Sequence, residues 1–410
     1  MHTAGIIIEY DPMHRGHLYL LKQVRAELGP ETAVIGVMSG NFVQRGDFAL
    51  LREHARAEAA VRSGMDLVLE LPLPWAVSSA ERFADGGVQV LLGTGLVTDL
   101  AFGSECGDAA ALMELAACLD SEIYHVGVRR FLDEGMPFAA CRQAVARGIL
   151  GGEKAALLEG PNNNLGVEYC KALLRRNSAV RPLAVRRAGM SHSGQGGGFA
   201  PATLLRRALA ENGEDAWALS EMAPAMAEIY KREAAVGRAP VLLKNAERAM
   251  LARLRSMTKS DFAALDEGNE GLYNRLYAAS RAAVSVDGVC QAAKTKRYAY
   301  ARLRRMVLWA YLGLTPAGFP AEVPYLRVLA ANETGRVLLA RMRKSASIPI
   351  LTKPGHVRRL DSAAQALFAL EARAADLYAL AYPDLTAAAG GIAWRDGPVL
   401  VMSGGPPERS

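Results

Sequence analysis

The strongest constraint on the fold is an alternation of short apolar runs with helical segments through the first half of the chain. Five runs rich in Val, Ile and Leu begin at Ala4, Thr32, Asp66, Thr98 and Val180. Segments with helical spacing, such as HLYLLKQVRAEL and LREHARAEAAVRSG, lie between the first runs. Apolar strands separated by amphipathic helices are typical of a parallel sheet that helices cover on both faces. The sequence therefore predicts an α/β, doubly wound domain.

The alternation stops near Thr203, and the segments that follow have the spacing of helices. We therefore predict a catalytic α/β domain over residues 1–212, an all-helical domain over residues 213–385 and a C-terminal tail over residues 386–410. The interval 109–177 is mostly helical, which predicts an insertion between the fourth and fifth strands. The last residues, GGPPERS, are predicted to be disordered.

Composition narrows the class of protein. Of the 410 residues, 51% are hydrophobic, which is enough for more than one core. The chain has no apolar run of the roughly 18 residues that span a membrane and no signal peptide, so we expect a cytoplasmic protein with no membrane partner. Five scattered cysteines form no CxxC pair, which argues against a disulfide framework or a thiolate zinc site. The net charge of +6 is compatible with a nucleic-acid partner but does not establish one.

The stretch GIIIEYDPMHRGH brings His14 and His17 to the loop after the first predicted strand. In parallel sheets, ligands bind at the carboxyl ends of the strands. Gly16 allows the backbone to approach a ligand, and the N-terminus of the next helix attracts phosphate. Two imidazoles in this loop can donate hydrogen bonds to a triphosphate and stabilise departing pyrophosphate. An HxxH metal pair fits less well because the sequence has no further His or Cys cluster, and a pair of solvated histidines is the remaining alternative.

The run HRGH resembles the HxGH signature of the nucleotidyltransferase superfamily, whose members transfer a nucleotidyl group and release pyrophosphate. Further blocks narrow the resemblance: SGNFVQRGDFALL, GMDLVLELPLPWAVSSAERFADGGVQVL, FGSECGD, PNNNLGVEYCKALLRRN, KTKRYAYARLRR and PYLRVLAANETGRVLLARMRKSASIPILTK. With EYDPMHRGH they follow the order seen in the bacterial tRNA(Met) cytidine acetate ligase family, and they span Gly5 to Lys353. The chain is similar to that family over most of its length.

The resemblance implies a Rossmann-like nucleotidyltransferase domain followed by a helical domain that binds tRNA. It also implies an ATP-dependent ligase that converts acetate to acetyl-adenylate and then acetylates N4 of the wobble cytidine of elongator tRNA(Met). ATP is expected as a substrate accompanied by Mg²⁺, and no residue is expected to hold a metal or to form a covalent intermediate. Neither the resemblance nor the composition indicates an oligomeric state.

The resemblance assigns the expected ATP site to several segments of the first domain. His14 and His17 are the expected catalytic pair. The expected ATP contacts of the first motif are Ile7, Glu9, Tyr10, Gly16 and His17. This motif departs from the family at two positions, because Asp11 and Met13 stand where relatives usually carry Asn and Phe.

Later loops are expected to complete the site. Ser39, Asn41, Gln44 and Arg45 follow the second strand and are expected to hold acetate or phosphate; Arg45 can clamp either anion through two N–H groups. Gly103 ends the fourth strand, where it can lie under an adenine or a ribose. A plain turn or helix cap is the alternative interpretation of each segment.

Asparagines and arginines farther along the chain are the remaining expected ATP contacts. In PNNNLGVEY, the resemblance places Asn162 or Asn163 against ATP. Arg186 and Arg187 end the fifth strand, and adjacent strand residues point to opposite faces, so we expect only one of them to face the nucleotide. The resemblance places an arginine here against ATP, and we favour Arg187.

The segment PATLLRRAL resembles the second signature of the superfamily, in which a helix start holds the β- and γ-phosphates. Thr203 and Arg206 are its expected contacts, with a plain N-cap at Thr203 as the alternative. The preceding run GMSHSGQGGG departs from the aromatic–His–acidic run of relatives. We interpret its glycines at 194–198 as part of a lid and leave the role of His192 open.

A basic segment with interleaved tyrosines is the predicted RNA contact. The assigned residues are Lys294, Lys296, Arg297, Tyr298 and Arg304, in a run that also holds Tyr300, Arg302 and Arg305. Cations suit RNA phosphates, and aromatic rings can stack on an unstacked base. A second basic run comprises Arg341, Arg343 and Lys344. A solvated helix face is the alternative for both runs.

Two rival functions remain at the level of sequence. A nucleotidyltransferase that builds a small cofactor would leave the basic second half without a role, and an inactive RNA-binding relative would not need the HxGH motif. The sequence has no G-x-S-x-G elbow and no Walker loop. Exchange of labelled pyrophosphate into ATP, with and without acetate, distinguishes the three hypotheses.

Overall fold

The computed structural model describes residues 2–187, 198–265, 271–295, 298–402 and 408–409. All five predicted strands are present, as β1, β2, β5, β6 and β7 of the following series. The strands in chain order are β1 (Thr3–Ile8), β2 (Ala33–Ser39), β3 (Phe42–Val43), β4 (Asp47–Phe48), β5 (Leu67–Leu71), β6 (Asp99–Ser104), β7 (Arg181–Arg186), β8 (Leu326–Ala331), β9 (Ile350–Leu351), β10 (Val399–Leu400) and β11 (Glu408–Arg409).

Helices connect and cover these strands. The α-helices are α1 (Arg15–Leu28), α2 (Glu53–Arg62), α3 (Leu73–Ala76), α4 (Ala80–Gly93), α5 (Ala109–Leu119), α6 (Glu122–Asp133), α7 (Phe138–Leu150), α8 (Gly152–Ala156), α9 (Pro161–Arg175), α10 (Ala202–Asn212), α11 (Ala216–Glu221), α12 (Pro224–Ala235), α13 (Glu247–Ser256), α14 (Lys259–Ala263), α15 (Leu272–Ala282), α16 (Val286–Ala293), α17 (Tyr300–Leu312), α18 (Glu333–Ser345) and α19 (Ser362–Ala379). Short 3₁₀ helices span Leu157–Glu159, Leu243–Ala246, Pro316–Gly318, Pro354–Arg359, Leu385–Ala387 and Ile392–Trp394. The predicted helical insertion is confirmed, since α5 to α9 occupy it.

Nine strands of the described ranges form one sheet in the order β11-β10-β8-β5-β2-β1-β6-β7, with β9 beside β8. The five predicted strands are parallel to their neighbours among themselves. From β1 the chain moves outward to β2 and β5, and it then returns to place β6 on the other side of β1. The strand order therefore reverses between β1 and β6, and ligands of open parallel sheets bind at such a point.

Helices pack on both faces of this sheet, which confirms the predicted doubly wound architecture. Consecutive residues of a strand point to opposite faces. Ile7 of β1 accordingly packs into a core with α4, α5 and α9, whereas Ile6 and Ile8 pack into a core with α1, α2 and α12. A third core comprises α13 to α17 with Phe42 and Phe48 of the β3-β4 hairpin. The hairpin therefore joins the sheet to the helical part of the chain.

The prediction of an all-helical second half is wrong for the residues that join the sheet. β8 runs antiparallel to β5, with Leu67 opposite Ala331, and β9 and β10 pair with β8. Val399–Leu400 and Glu408–Arg409 belong to the predicted tail, yet both segments pair within the sheet. β8 resembled a helix in sequence because it leads into α18 after one residue and contains Arg327.

Arg327 is buried in the sheet beside carboxylates from the catalytic half. Its guanidinium lies 2.8 Å from Glu70 of β5 and 3.1 Å from Glu53 of α2. Burial raises the pKa of Glu70 well above its usual range, which the nearby Arg327 opposes. Removing one partner of such a buried pair leaves an uncompensated charge, at a cost of about 3–5 kcal/mol. The C-terminal part of the chain is therefore attached to β5 in two ways, by strand pairing through β8 and by the ion pair between Arg327 and Glu70.

Within the ranges that the structure describes, no helix is both long and apolar enough to cross a membrane.

Candidate functional site

The two histidines of the opening motif lie at the carboxyl end of β1, beside the point where the strand order reverses. His14 is the N-cap of α1, and its Nδ1 accepts the backbone N–H of Gly16 at 3.1 Å. His17 lies in the first turn of α1, and its Nδ1 accepts the backbone N–H of His14 at 3.1 Å. The centroids of the two rings are 3.9 Å apart. The structure thus brings the predicted catalytic pair together at the predicted edge.

These hydrogen bonds fix the protonation state of both rings. A nitrogen that accepts an N–H bond carries no proton, so each neutral ring must carry its proton on Nε2. Burial, and then the nearby Arg187, lowers the pKa of His14 to about 4. Burial, followed by the effects of His14 and Arg187, lowers the pKa of His17 well below its usual range. At neutral pH the site therefore holds two uncharged imidazoles, each with one N–H donor that the backbone does not use.

Backbone constraints around the pair explain two further residues of the motif. A Cβ on Gly16 would lie 2.9 Å from Cε1 of His14, so only glycine leaves room for that ring. Tyr10 has a φ of 48°, which is an outlier for a bulky residue and marks local strain at the end of β1. Its ring centroid lies 4.6 Å from that of His17. The opening motif is shaped to hold the two histidines against each other.

The ends of β6 and β7 form the other side of the site. Arg187 follows β7, and its Nη1 donates to Oδ1 of Asn162 at 3.1 Å. Gly103 of β6 lies below this arginine, since a Cβ there would come within 3.4 Å of Cγ of Arg187. Arg186, in contrast, packs its Cβ against Gly107. Of the two predicted arginines, Arg187 is the one whose charge reaches both histidines.

The two asparagines at the start of α9 have different environments. Asn163 is buried, and its Oδ1 accepts hydrogen bonds from Oγ of Ser104 at 2.7 Å and from the N–H of Glu105 at 2.9 Å. Asn162 is less buried and contacts Arg187. Asn163 therefore fixes the loop after β6, and Asn162 is the asparagine that lies beside the site.

Glu105, in the loop after β6, organises this edge. Its carboxylate accepts the backbone N–H groups of Asn162 at 3.1 Å and Asn163 at 2.7 Å. Burial raises the pKa of Glu105, but the hydrogen bonds from the asparagines outweigh burial and hold its pKa below the usual value. It supplies the cap that the first turn of α9 lacks from its own N-cap residue, Gly160.

The loop after β2 holds the residues predicted to bind acetate or phosphate. Ser39 is fully buried, and its Oγ has no hydrogen-bond partner within the described residues. Asn41 uses its Oδ1 to accept the N–H of Glu53 at 2.9 Å and so caps α2. The backbone N–H of Gln44 donates to Oε1 of Glu9 at 2.7 Å. Arg45 is exposed. Asn41 therefore has a structural contact that the prediction did not anticipate.

A buried arginine of α2, missed in the sequence, holds the loops after β1 and β2 together. Arg56 is completely buried. Its guanidinium donates to the backbone carbonyls of Glu9, Ser39 and Gly40, and its Nε donates to Leu51 at 3.0 Å. Such a buried cation is costly unless it is hydrogen-bonded, and each of the three guanidinium nitrogens donates to a carbonyl here. The segment LREHARAEAA resembles an amphipathic surface helix, and only its nearly complete burial identifies the arginine.

The alternative interpretation of Thr203 as a plain N-cap is wrong, whereas its expected contact with phosphate stays a prediction. The N-cap of α10 is Pro201, so Thr203 lies inside the helix, where it is exposed and caps nothing. Arg206 lies one turn later, with Nη1 2.5 Å from Oδ2 of Asp11 and Nη2 3.3 Å from Oδ2 of Asp47. These carboxylates occupy the donors predicted to bind phosphate. Asp11, the departure from the family pattern, is one of its two acidic partners.

Part of the predicted RNA-binding segment contacts the protein itself. Tyr298 is 6% exposed and packs in the helical core, so the prediction that its ring stacks on a base is wrong for this structure. Arg304 of α17 lies 2.8 Å from Asp47. Lys294 is exposed beside Tyr300, with Nζ 5.7 Å from the ring centroid. The lysine at 296 and the arginine at 297 lie outside the described residues.

The predicted lid also falls mainly outside the described residues, including His192 and the glycines at 194–197. The second basic run is exposed at Arg341, Arg343 and Lys344.

Within the described ranges, no three His, Cys, Asp or Glu side chains are grouped so that they could hold a metal ion. Among these residues, the HxxH pair has no third such ligand beside it.

Comparison with known proteins shows which family and which solved structures the chain resembles. Residues 1–391 match the family model described as HIGH Nucleotidyl Transferase. A tRNA(Met) cytidine acetate ligase of Syntrophomonas wolfei is 34% identical over 94% of this chain and 96% of its own length. The corresponding protein of Alkaliphilus metalliredigens is 33% identical over 93% of this chain and 94% of its own. A crystal structure of Thermotoga maritima TmcAL bound with alpha-thio ATP superposes with a TM-score of 0.92, at 31% identity, over 98% of this chain and all of that one.

Proposed function

We propose that this chain, which belongs to the tRNA(Met) cytidine acetate ligase family, uses ATP to activate acetate and transfers the acetyl group to a tRNA. In the first step an acetate oxygen attacks the α-phosphorus of ATP, and acetyl-adenylate and pyrophosphate form. In the second step the exocyclic N4 of the wobble cytidine of elongator tRNA(Met) attacks the acetyl carbon, and AMP leaves. Both steps take place at the edge formed by the ends of β1, β6 and β7.

One observation carries the proposal: two imidazoles with fixed, unprotonated Nδ1 atoms lie at the N-terminus of α1 beside the strand-order reversal. Their Nε2–H groups are donors that need no reorientation when negative charge develops on the leaving pyrophosphate. His14 and His17 are neutral, so they stabilise that charge by hydrogen bonding rather than as cations. A preorganised donor of this kind typically contributes about 10²–10³ in rate.

The positive charge of the proposed site comes from Arg187. Its guanidinium lies close enough to both histidines to lower their pKa, and Asn162 orients it. An arginine keeps its charge under all relevant conditions and binds phosphate oxygens through two N–H groups. Together with Gly103 beneath it, Arg187 supports the binding of a nucleotide at the ends of β6 and β7.

Mg²⁺ is proposed to enter with ATP rather than to reside in the protein. This cation prefers oxygen ligands and often takes them from substrate phosphates and water. The described residues offer no acidic cluster that would hold it alone. The ion would neutralise part of the triphosphate charge, while the histidines and Arg187 bind the remaining oxygens.

The helical part of the chain is proposed to position the tRNA. Lys294 and Tyr300 present a cation and a ring at the start of α17, the helix that also packs against the loop after β2. We propose a catalytic unit built from residues 1–212 and the strands β8 to β11, with α13 to α17 as the RNA-binding unit. Because tRNA and ATP are its substrates, the protein is proposed to act in the cytoplasm.

Two assays test the proposed function. Labelled pyrophosphate should exchange into ATP only when acetate is present, and elongator tRNA(Met) incubated with ATP and labelled acetate should gain one acetyl group by mass spectrometry. His14→Ala should lower both signals by about 10²–10³. Exchange that does not depend on acetate would instead indicate a different nucleotidyl acceptor, and acetylation without exchange would exclude an adenylate intermediate.

A further inference from the structure

Glu9 lies where the histidine edge meets the helical part of the chain. It directly follows β1, and its Oε1 accepts the N–H of Gln44 at 2.7 Å. The carbonyl of Gln44 in turn accepts Nη1 of Arg305, on α17, at 3.4 Å. Two residues later a Cβ on Gly46 would lie 2.6 Å from the backbone nitrogen of Arg305. One short loop therefore connects the Glu9 carboxylate with the helix that is proposed to position RNA.

The second carboxylate oxygen of Glu9 is available for chemistry. Glu9 is only partly buried, and among the described residues no donor bonds its Oε2. The histidines cannot take a proton as readily, because each Nδ1 already accepts a backbone N–H and each Nε2 carries a proton. Among the described groups at this edge, the Glu9 carboxylate both has an oxygen free to accept a proton and contacts the loop that packs against α17.

We propose that Glu9 is the general base of acetyl transfer, an inference that rests on the proposed function. As N4 of the cytidine attacks the acetyl carbon, the N–C bond forms and the bond between that carbon and the phosphate oxygen breaks. AMP departs with the electron pair of that bond, and the proton lost from N4 passes to Oε2 of Glu9. The protein is neither oxidised nor reduced, and the proton is later released to solvent.

The electrostatic surroundings suit this role. Burial raises the pKa of Glu9 to about 7, which is where a general base is most effective near neutral pH. The hydrogen bond from the Gln44 N–H lowers the pKa of Glu9, and the negative charge of Asp11 raises it further. The positive charges of Arg56 and Arg45 lower it. From α9, Tyr169 also faces the carboxylate, with its own pKa raised mainly by burial.

The decisive experiment separates the two half-reactions in the full-length protein. Glu9→Gln keeps the size of the side chain and an oxygen that can accept the Gln44 N–H. We expect this variant to form acetyl-adenylate, measured as acetate-dependent pyrophosphate exchange, but to transfer the acetyl group to tRNA about 10²–10⁴ times more slowly in a single turnover. Equal loss in both half-reactions would overturn the proposal, because Glu9 would then act in ATP binding. Transfer at the wild-type rate would overturn it as well.

A pH profile tests the same idea with Glu9 intact. The single-turnover transfer rate should rise with pH through about 7, because only the ionised carboxylate accepts a proton. Asp11→Asn removes a negative charge that raises the pKa of Glu9, so the rise should shift to lower pH. Two results would refute the assignment of Glu9 as the base. One is a pH profile that does not shift in Asp11→Asn, and the other is a rise with pH that persists in Glu9→Gln. Failure of the proposed function is distinguishable, since wild-type protein would then show no acetate-dependent exchange.

Discussion

Replacing Gly16 with alanine should separate catalysis from stability. The new Cβ would lie 2.9 Å from Cε1 of His14, whereas carbon atoms in contact are usually about 3.5–4.0 Å apart. The ring must therefore move by roughly 0.6 Å or more, which also strains the 3.1 Å bond from the Gly16 N–H to Nδ1. A displacement of 1 Å can cost about 10²-fold in rate, so we expect acetate-dependent exchange to fall about 10- to 100-fold.

The stability of the same variant should change little. Alanine in a helix is favoured over glycine by about 0.5–1 kcal/mol, while a weakened N-cap costs about 0.5–2 kcal/mol. These contributions have opposite signs, so the free energy of unfolding should shift by less than about 1 kcal/mol. Gly148→Ala is the matched control, because Gly148 lies in α7 with no atom near the added Cβ. Wild-type exchange by Gly16→Ala would refute the argument that rate depends on where the His14 ring lies.

Four further predictions follow from the structure. His14→Ala and His17→Ala should each lower the exchange rate by about 10²–10³ without loss of fold by circular dichroism, and normal turnover in both would contradict their role. Lys294→Ala should reduce the logarithmic salt slope of tRNA binding by about 0.7–0.9, whereas an unchanged slope would mean a solvated side chain. The pKa of His14 is 6.5 in the unfolded chain and about 4 in the folded protein, so the unfolded chain binds a proton first as the pH falls. Between pH 6.5 and 4 the free energy of unfolding of the wild-type protein, measured by urea titration, should therefore fall by about 3 kcal/mol more than that of His14→Ala. A fragment ending at Asn212 should fail to unfold cooperatively, because it lacks β8 beside β5 and the partner of Glu70; a cooperative transition would show that the C-terminal strands are dispensable.

The strands, the parallel sheet and the histidine loop were predictable because their signals are local. A run such as AGIIIEY is apolar on both faces, and the residues that follow a parallel strand must lie at its carboxyl edge. The positions of His14, Gly103 and Arg187 along the chain therefore already imply that they share one edge. Because neighbouring residues of a strand face opposite ways, only one of Arg186 and Arg187 was expected to contact the nucleotide, and the family resemblance favoured Arg187.

Strand β8 was not predictable in this way, because its identity depends on a distant partner. Residues 326–331 are apolar apart from Arg327, and α18 begins after a single further residue. Periodicity alone does not distinguish a short buried strand from part of a helix. Only Glu70 and Glu53, more than 250 residues earlier, explain why a charged side chain is tolerated in the middle of the sheet. The prediction of a second half without strands was wrong at β8 for this reason.

The contacts of Arg206 and Arg304 show the same limit at the site itself. Both arginines were expected to face phosphates. Arg206 lies in a segment that resembles a phosphate-binding signature, and Arg304 lies in a basic run with interleaved tyrosines. Asp47 of the β3-β4 hairpin lies 3.3 Å from Arg206 and 2.8 Å from Arg304, and Asp11 lies 2.5 Å from Arg206. A phosphate must therefore compete with a carboxylate for each guanidinium. Asp47 contacts both arginines, so a phosphate that binds Arg206 or Arg304 instead would break an ion pair that attaches the β3-β4 hairpin to α10 or to α17. Asp47 thus links α10 with α17 of the helical part, a relation that no pattern within either segment contains.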